Sequence, residues 1–425
     1  MASIRSFCAL RFTEKAGDIR ELVCPPYDII SEEERQRYLA RNSNNIIRLE
    51  LPREGEDPYA QAGATLKSWL DDRILAFDDV PALYIYEEEF VALGQRKTIR
   101  GLVCGVRLEP FSEGGILPHE ETLSKAKTDR FNLMQATSCN FSSIYSLYFD
   151  KERTAAARLD TLTAGPADVE FETDDGIVHR VWVVTEIKEI NQIVNYLRGK
   201  TLYIADGHHR YETALNYRDS LARQGEFIDD THPANYVMMT LVDMENEGLV
   251  VFPTHRIIRN MEDFDPAAVL DQCQTYFDSI PINKEEAQAR LDEAAAAGKK
   301  AFAMYARGEM TLLTLRDGAV MDEMLAGMSD AYRQLDVTIL HTLVLEKLMG
   351  IDKENMANQK NLIYTRDPAE ALAAVDKGEA NCAFLINPTR VDEIASVAGA
   401  GEKMPQKSTY FYPKLITGHI INPLF

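Results

Sequence analysis

The string Asp206-Gly207-His208-His209-Arg210 sets a carboxylate, a glycine, two imidazoles and a guanidinium on five consecutive positions. It follows the apolar run Thr201–Ala205. It precedes a segment carrying Tyr211, Ala214, Leu215, Leu221 and Ala222 at helical spacing. The pattern predicts a buried strand that passes through a tight turn into a helix. Gly207 permits the turn and a close approach of another backbone. The first amides of such a helix are unpaired and carry the positive end of its dipole, which suits an anion. Arg210 can hold two phosphate oxygens at once, and His208 and His209 can donate to the same oxygens. In a plainer reading Asp206 caps the helix and Gly207 makes the turn, which leaves three polar residues unexplained. A metal reading pairs His208 or His209 with Glu212, at helical spacings of three and four. Adjacent histidines diverge by ~100° on a helix, and a catalytic zinc needs a third ligand that the sequence does not offer.

A second constellation is Leu117-Pro118-His119-Glu120-Glu121, followed by Lys125, Lys127 and Arg130. Glu120 and Glu121 can serve as general base or as magnesium contacts, and His119 can fill the role of base. The three cations can neutralise phosphate charge. The bland alternative is a solvated, mixed-charge segment. Pro253-Thr254-His255-Arg256 adds a basic contact or a linker, and the tract Lys403–Lys414 closes over a site or merely anchors the C-terminus.

The elements that must position these residues are legible in part. Ser31 with Glu34 reads as a capping box opening a helix through Leu39, and Tyr59–Leu70 as a second helix. Asn45–Leu51 alternates and predicts a strand. Ala82–Phe90 and Lys97–Leu108 predict an antiparallel pair turning near Gly94. Glu109–Asn140 reads as a long polar loop, and loops of that length are often functional. Tyr236–Val242 is a further strand. Beyond Pro253–Asn260 the chain predicts helices at Lys284–Ala297 and Asp336–Met349 and strands at Ala301–Ala306 and Leu312–Leu315. A boundary near 255–265 would give a catalytic region over 1–258 and a C-terminal α/β domain over 259–425.

The net charge of −21 disfavours a nucleic-acid partner, because backbone binding needs clustered Lys and Arg. A small phosphorylated ligand in a local basic pocket remains compatible with it. Six scattered cysteines without a C-x-x-C pair predict buried free thiols in a reducing cytoplasm. No apolar run is long enough to span a bilayer. Monomer and homodimer are both open.

Taken together, Pro25-Pro26-Tyr27-Asp28, Ile47-Arg48-Leu49-Glu50, Leu117–Glu120, Asn140-Phe141-Ser142, Ile204–Tyr211, Pro253–Arg256 and Met404–Lys414 resemble the family catalogued as domain of unknown function 1015. The likeness runs through nearly the whole chain. That family is similar to the ParB/sulfiredoxin superfamily, where a Gly-x-x-Arg turn at a helix start holds nucleotide phosphates. The resemblance implies an α+β fold with a ParB/sulfiredoxin-like mixed sheet. It implies a phosphotransferase using ATP or ADP with Mg2+, best matched by the free serine kinases, which form O-phosphoserine. Sulfiredoxin chemistry needs a cysteine beside the turn, and Asp206, Gly207 and His208 stand there instead. By resemblance Glu120 would be the base, with His119 and Asp206 assisting. Gly207, His208, His209, Arg210, Lys127 and Arg130 would hold the nucleotide, and Asp206 and Glu121 would contact magnesium. A nucleotide-binding switch without transfer and a metal-dependent hydrolase are the competing expectations.

Overall fold

The computed structural model describes residues 2–120, 122, 124–226 and 228–425. The chain forms two compact units. One comprises Met1–Pro118, Thr122–Val250 and Pro413–Phe425, and the other His119–Glu121 and Val251–Tyr412.

The first unit is built on a mixed sheet of nine strands. Its longest hairpin joins Leu83–Ala92 to Gln95–Arg107 through Gly94, as the alternating sequence predicts. Tyr236–Asp243 pairs antiparallel with the second of these strands and parallel with Ile144–Tyr148. Leu202–Asp206 lies between Ile144–Tyr148, antiparallel, and Ile116–Pro118, parallel. One face buries Ile85, Leu102, Cys104, Ile144, Ile204 and Leu241 against the helix His208–Arg223 and its neighbours.

Two expectations in this unit are corrected. Asn45–Leu51 is not a strand: Ile47–Glu50 is a helical turn with Ile46, Ile47 and Leu49 all fully buried. Asn45 Oδ1 accepts the Ile47 N–H at 2.9 Å, a side-chain turn that competes with extended pairing. The supposed loop Glu109–Asn140 contains the helix Ser124–Thr137, whose Leu133 and Met134 are buried. Its charges fall on several faces, so no clean apolar stripe betrays it. The capping box at Ser31 and Glu34 is present.

The opposite face of the sheet carries a buried polar chain. Thr173 Oγ1 donates to Asp175 Oδ1 at 2.6 Å, so it can only accept from His179 Nε2 at 3.0 Å. His179 Nδ1 then accepts from Tyr86 OH at 2.7 Å. The single Tyr86 proton is thereby used, yet Glu88 Oε1 lies 2.9 Å from the same oxygen. With His179 neutral, that contact is a hydrogen bond only when the Glu88 carboxyl is protonated and donates to the Tyr86 oxygen. Burial acts in the same sense and pushes Glu88 up to about 8, while burial drops His179 to about 3.

The second unit holds a six-stranded antiparallel sheet ordered Phe277–Ile282, Glu309–Leu315, Ala301–Ala306, Cys382–Ile386, His255–Ile258 and Leu362–Thr365. Ala287–Ala296 and Pro368–Asp376 cover one face. The expected helix Asp336–Met349 is α-helical only over Asp336–Ile339 and continues as a π-helix through Leu340–Leu348. Five of the six cysteines are buried and none is disulfide-bonded. Among the described residues no helix is long and apolar enough to cross a membrane.

Candidate functional site

The strand Leu202–Asp206 shifts register against its neighbour between Ile204 and Asp206. Such a bulge re-aims the side chain that follows it. Gly207 then takes φ 95°, and the helix His208–Arg223 begins. With hydrogen as its side chain, Gly207 cannot cap that helix. A Cβ there would meet the Arg210 guanidinium at 2.9–3.0 Å, so the arginine folds back directly over the glycine.

Arg210 donates from Nη2 to Asp206 Oδ2 and from Nη1 to the Ser143 carbonyl, both at 2.6 Å. Lys414 donates to Asp206 Oδ1 at 2.5 Å. Burial alone would raise the Asp206 carboxyl, but Lys414 and Arg210 outweigh it and hold the group well below the usual carboxylate range. Asp206 is therefore ionised at neutral pH, with each oxygen already bound to a cation. That suits electrostatic positioning and not proton uptake near pH 7. A magnesium contact at Asp206 would have to exchange with one of these cations. His208 is buried and His209 half-buried.

Around the turn lies a second buried charge cluster, of which the sequence singles out only Arg130. Glu50, 2% exposed, accepts from Ser142 Oγ at 3.0 Å. Burial raises its carboxyl, opposed first by Arg130 and then by Arg210. Arg130 donates to the Glu50 carbonyl at 2.7 Å, pairs with Asp129 at 2.6 Å and stacks 4.1 Å from the Tyr27 ring. A cavity of ≈30 Å³, about the volume of one water, lies among Glu50, Arg130, Ser142 and Arg210. The signal was available: Tyr27, Glu50 and Ser142 each sit in strings that suggested the family, but nothing local tied them to the turn. Lys414 was noted only as part of a polar tail.

Lys127 is engaged by Glu212 Oε2 at 2.8 Å, and Thr122 donates to the same oxygen at 2.7 Å. Oε2 of Glu212, the carboxylate of the expected His208/His209 metal set, is thus bound by a lysine and a hydroxyl. Among the described residues no group of three His, Cys, Asp or Glu side chains could hold a metal ion. Glu121 and the side chain of Lys125 lie outside the described residues.

His119 and Glu120 belong to the second unit. His119 is fully buried, with Nε2 2.9 Å from Thr409 Oγ1. Its carbonyl accepts the Met404 N–H at 2.7 Å, and Glu120 Oε1 accepts the Lys407 N–H at 2.9 Å. The segment 404–407 is itself fastened to Arg256, which is fully buried and donates to the Lys407 carbonyl at 3.2 Å. Arg256 is thus a structural clamp, where the sequence offered a basic contact or a linker.

Comparison with curated proteins gives no match. Solved structures similar to the chain include a free serine kinase in complex with AMP, at 14% identity over 73% of this chain and 90% of that one, TM-score 0.37. A conserved hypothetical protein from Pyrococcus furiosus is 15% identical over 73% of this chain and 94% of its own, TM-score 0.36. C-terminally truncated SbnI from Staphylococcus aureus is 10% identical over 75% and 87%, TM-score 0.37. The family model described as "Protein of unknown function (DUF1015)" matches residues 4–338, and the chain belongs to that family.

Proposed function

We propose that the protein is a nucleotide-dependent phosphotransferase acting on a small hydroxyl substrate, with free L-serine as the best candidate and ATP or ADP as donor. The observation that carries the reading is the Asp206–Arg210 turn. A bulged strand, a left-handed glycine and a helix N-terminus meet there, beside Arg210 and Lys414. Two cations against one ionised carboxylate leave the turn net positive, and the helix dipole adds to that. Phosphoryl transfer asks the protein chiefly for positioning and charge stabilisation, and the turn offers both. Mg2+ brought in on the nucleotide would find an ionised carboxylate in Asp206 and would screen phosphate charge.

In the transfer, the serine Oγ forms a bond to the terminal phosphorus and the bridging P–O bond breaks. The bonding pair leaves on the shortened nucleotide, and the hydroxyl proton goes to a carboxylate. Asp206 is ill suited to take it, being held ionised by two cations. Glu120 is proposed for this role on the family resemblance. The test is purified protein with nucleotide, Mg2+ and a panel of amino and hydroxy acids, read for phosphoserine. Glu120→Gln should abolish most turnover and leave nucleotide affinity within about twofold. Nucleotide binding without turnover on any acceptor would favour a regulatory switch, a reading that the absence of a proton acceptor at Asp206 supports. No nucleotide binding at all would defeat both.

A further inference from the structure

The second unit contains a cavity of ≈240 Å³ that the phosphoryl-transfer reading does not use. We propose that it binds a free α-amino acid with an apolar side chain. This inference does not rest on the kinase reading.

The wall is unusual. His341, Thr342 and Glu346 all line the cavity and all lie on the π-helix Leu340–Leu348. In an α-helix, residues five apart advance about 500° and so diverge by about 140°. The i→i+5 bonding of a π-helix closes that gap and brings His341 and Glu346 to one face. Helical distortions of this kind concentrate at functional sites. His341 is fixed by Arg256, whose Nε donates to His341 Nε2 at 3.1 Å. An arginine N–H can only donate, so the imidazole is neutral and its proton sits on Nδ1. Burial and the neighbouring guanidinium both depress its basicity, in agreement.

The remaining lining divides by chemistry. Glu346 is half-buried, and none of the described residues gives its carboxylate a hydrogen bond. Lys353 supplies a cation at the same cavity, close enough to act on Glu346. Met324, Leu325, Met356 and Met404 supply an apolar floor, and Met324 is 38% exposed. One anion, the two cations Lys353 and Lys403, and flexible thioethers match an ammonium, a carboxylate and an apolar side chain of variable shape. The Glu346 carboxylate is not sealed from water, so its oxygens are open to a ligand's ammonium at this cavity. Met404 also bonds the His119 carbonyl, so an occupant presses on the segment that holds Glu120.

The experiment is calorimetric titration of the full chain with the twenty L-amino acids, and with the matching carboxylic acids and amines of each apolar one. Methionine, leucine or phenylalanine should bind, and the acid or amine lacking one charge should bind at least about 10-fold more weakly, the worth of a charged hydrogen bond. Glu346→Gln should weaken the amino acid by a similar factor yet leave the ammonium-free acid unchanged. Lys353→Gln should do the converse. Nucleotide affinity should be the same in both variants, which separates this test from that of the turn. Three outcomes overturn the proposal: no amino acid binds at millimolar concentration, the charge-deleted analogues bind equally well, or binding is indifferent to Glu346→Gln.

Discussion

Gly207→Ala separates the strain of a turn from the loss of a contact. Gly207 sits at φ 95°, and Gly176 in the same unit at φ 78°. An alanine at either position takes a left-handed conformation, which costs about 1–2 kcal/mol for an L-residue. The two sites differ in what the new Cβ meets. At Gly176 nothing lies within 4 Å, whereas at Gly207 the Arg210 Nε, Cζ and Nη2 lie at 2.9–3.0 Å. Arg210 must move away, and its bonds to Asp206 Oδ2 and the Ser143 carbonyl are the ones at stake. A hydrogen bond to a charged group is worth about 1.5–3 kcal/mol, so Gly207→Ala should destabilise by that much more than Gly176→Ala. The assay is urea denaturation of both variants and the wild type, comparing midpoints at unchanged slope. A parallel nucleotide titration should show a loss for Gly207→Ala alone. If the two alanines cost the same and both bind nucleotide like the wild type, then Arg210 is not held by the glycine and the account of the turn is wrong.

Lys414→Met should destabilise by about 3 kcal/mol at pH 7, the range for removing one partner of a buried pair. Asp206 has a depressed folded pKa, so its contribution is present above the unfolded value and lost as pH falls. The gap between Lys414→Met and wild type should therefore be full at pH 7 and shrink below about pH 4, read by denaturant titrations across pH. Glu88 has the opposite sign: its folded pKa of about 8 lies above the unfolded value, so the native state holds the extra proton. The stability of the wild type relative to Glu88→Gln should fall as pH rises from about 4.5 towards 8, a difference in which the opposite slope of the buried neutral histidines cancels. A slope unchanged in Glu88→Gln would refute the protonated carboxyl. Arg256→Met should free His341, and the pKa of its imidazole, followed by NMR, should rise from its depressed value; no rise would mean that burial alone sets it.

The parts of this molecule that could be read from sequence are those where local chemistry and tertiary role agree. Strand Leu202–Asp206, the left-handed Gly207 and the helix after it follow from a buried run, a glycine and a helical period, and all three are there. The Ser31 capping box is local in the same way. What escaped was set by partners far along the chain. Glu50 looked like part of an alternating strand because nothing near it says that Arg130 and Ser142 surround it. Lys414 reaches Asp206 across 208 positions, and no period or spacing announces such a pair. The π-helix is the sharpest case, since Leu340–Leu348 carries an ordinary helical composition. Its extra residue per turn is visible only in which side chains share the cavity wall. The same asymmetry bears on the site itself. The family resemblance implies catalytic assistance or a magnesium contact for Asp206, and a carboxylate beside a glycine turn can be either. Its two cations narrow the choice to an ionised group that orients Arg210 and Lys414. The proton acceptor for any transfer must then come from another residue. This makes Glu120→Gln the variant on which the catalytic reading turns, and Gly207→Ala the one on which nucleotide binding turns.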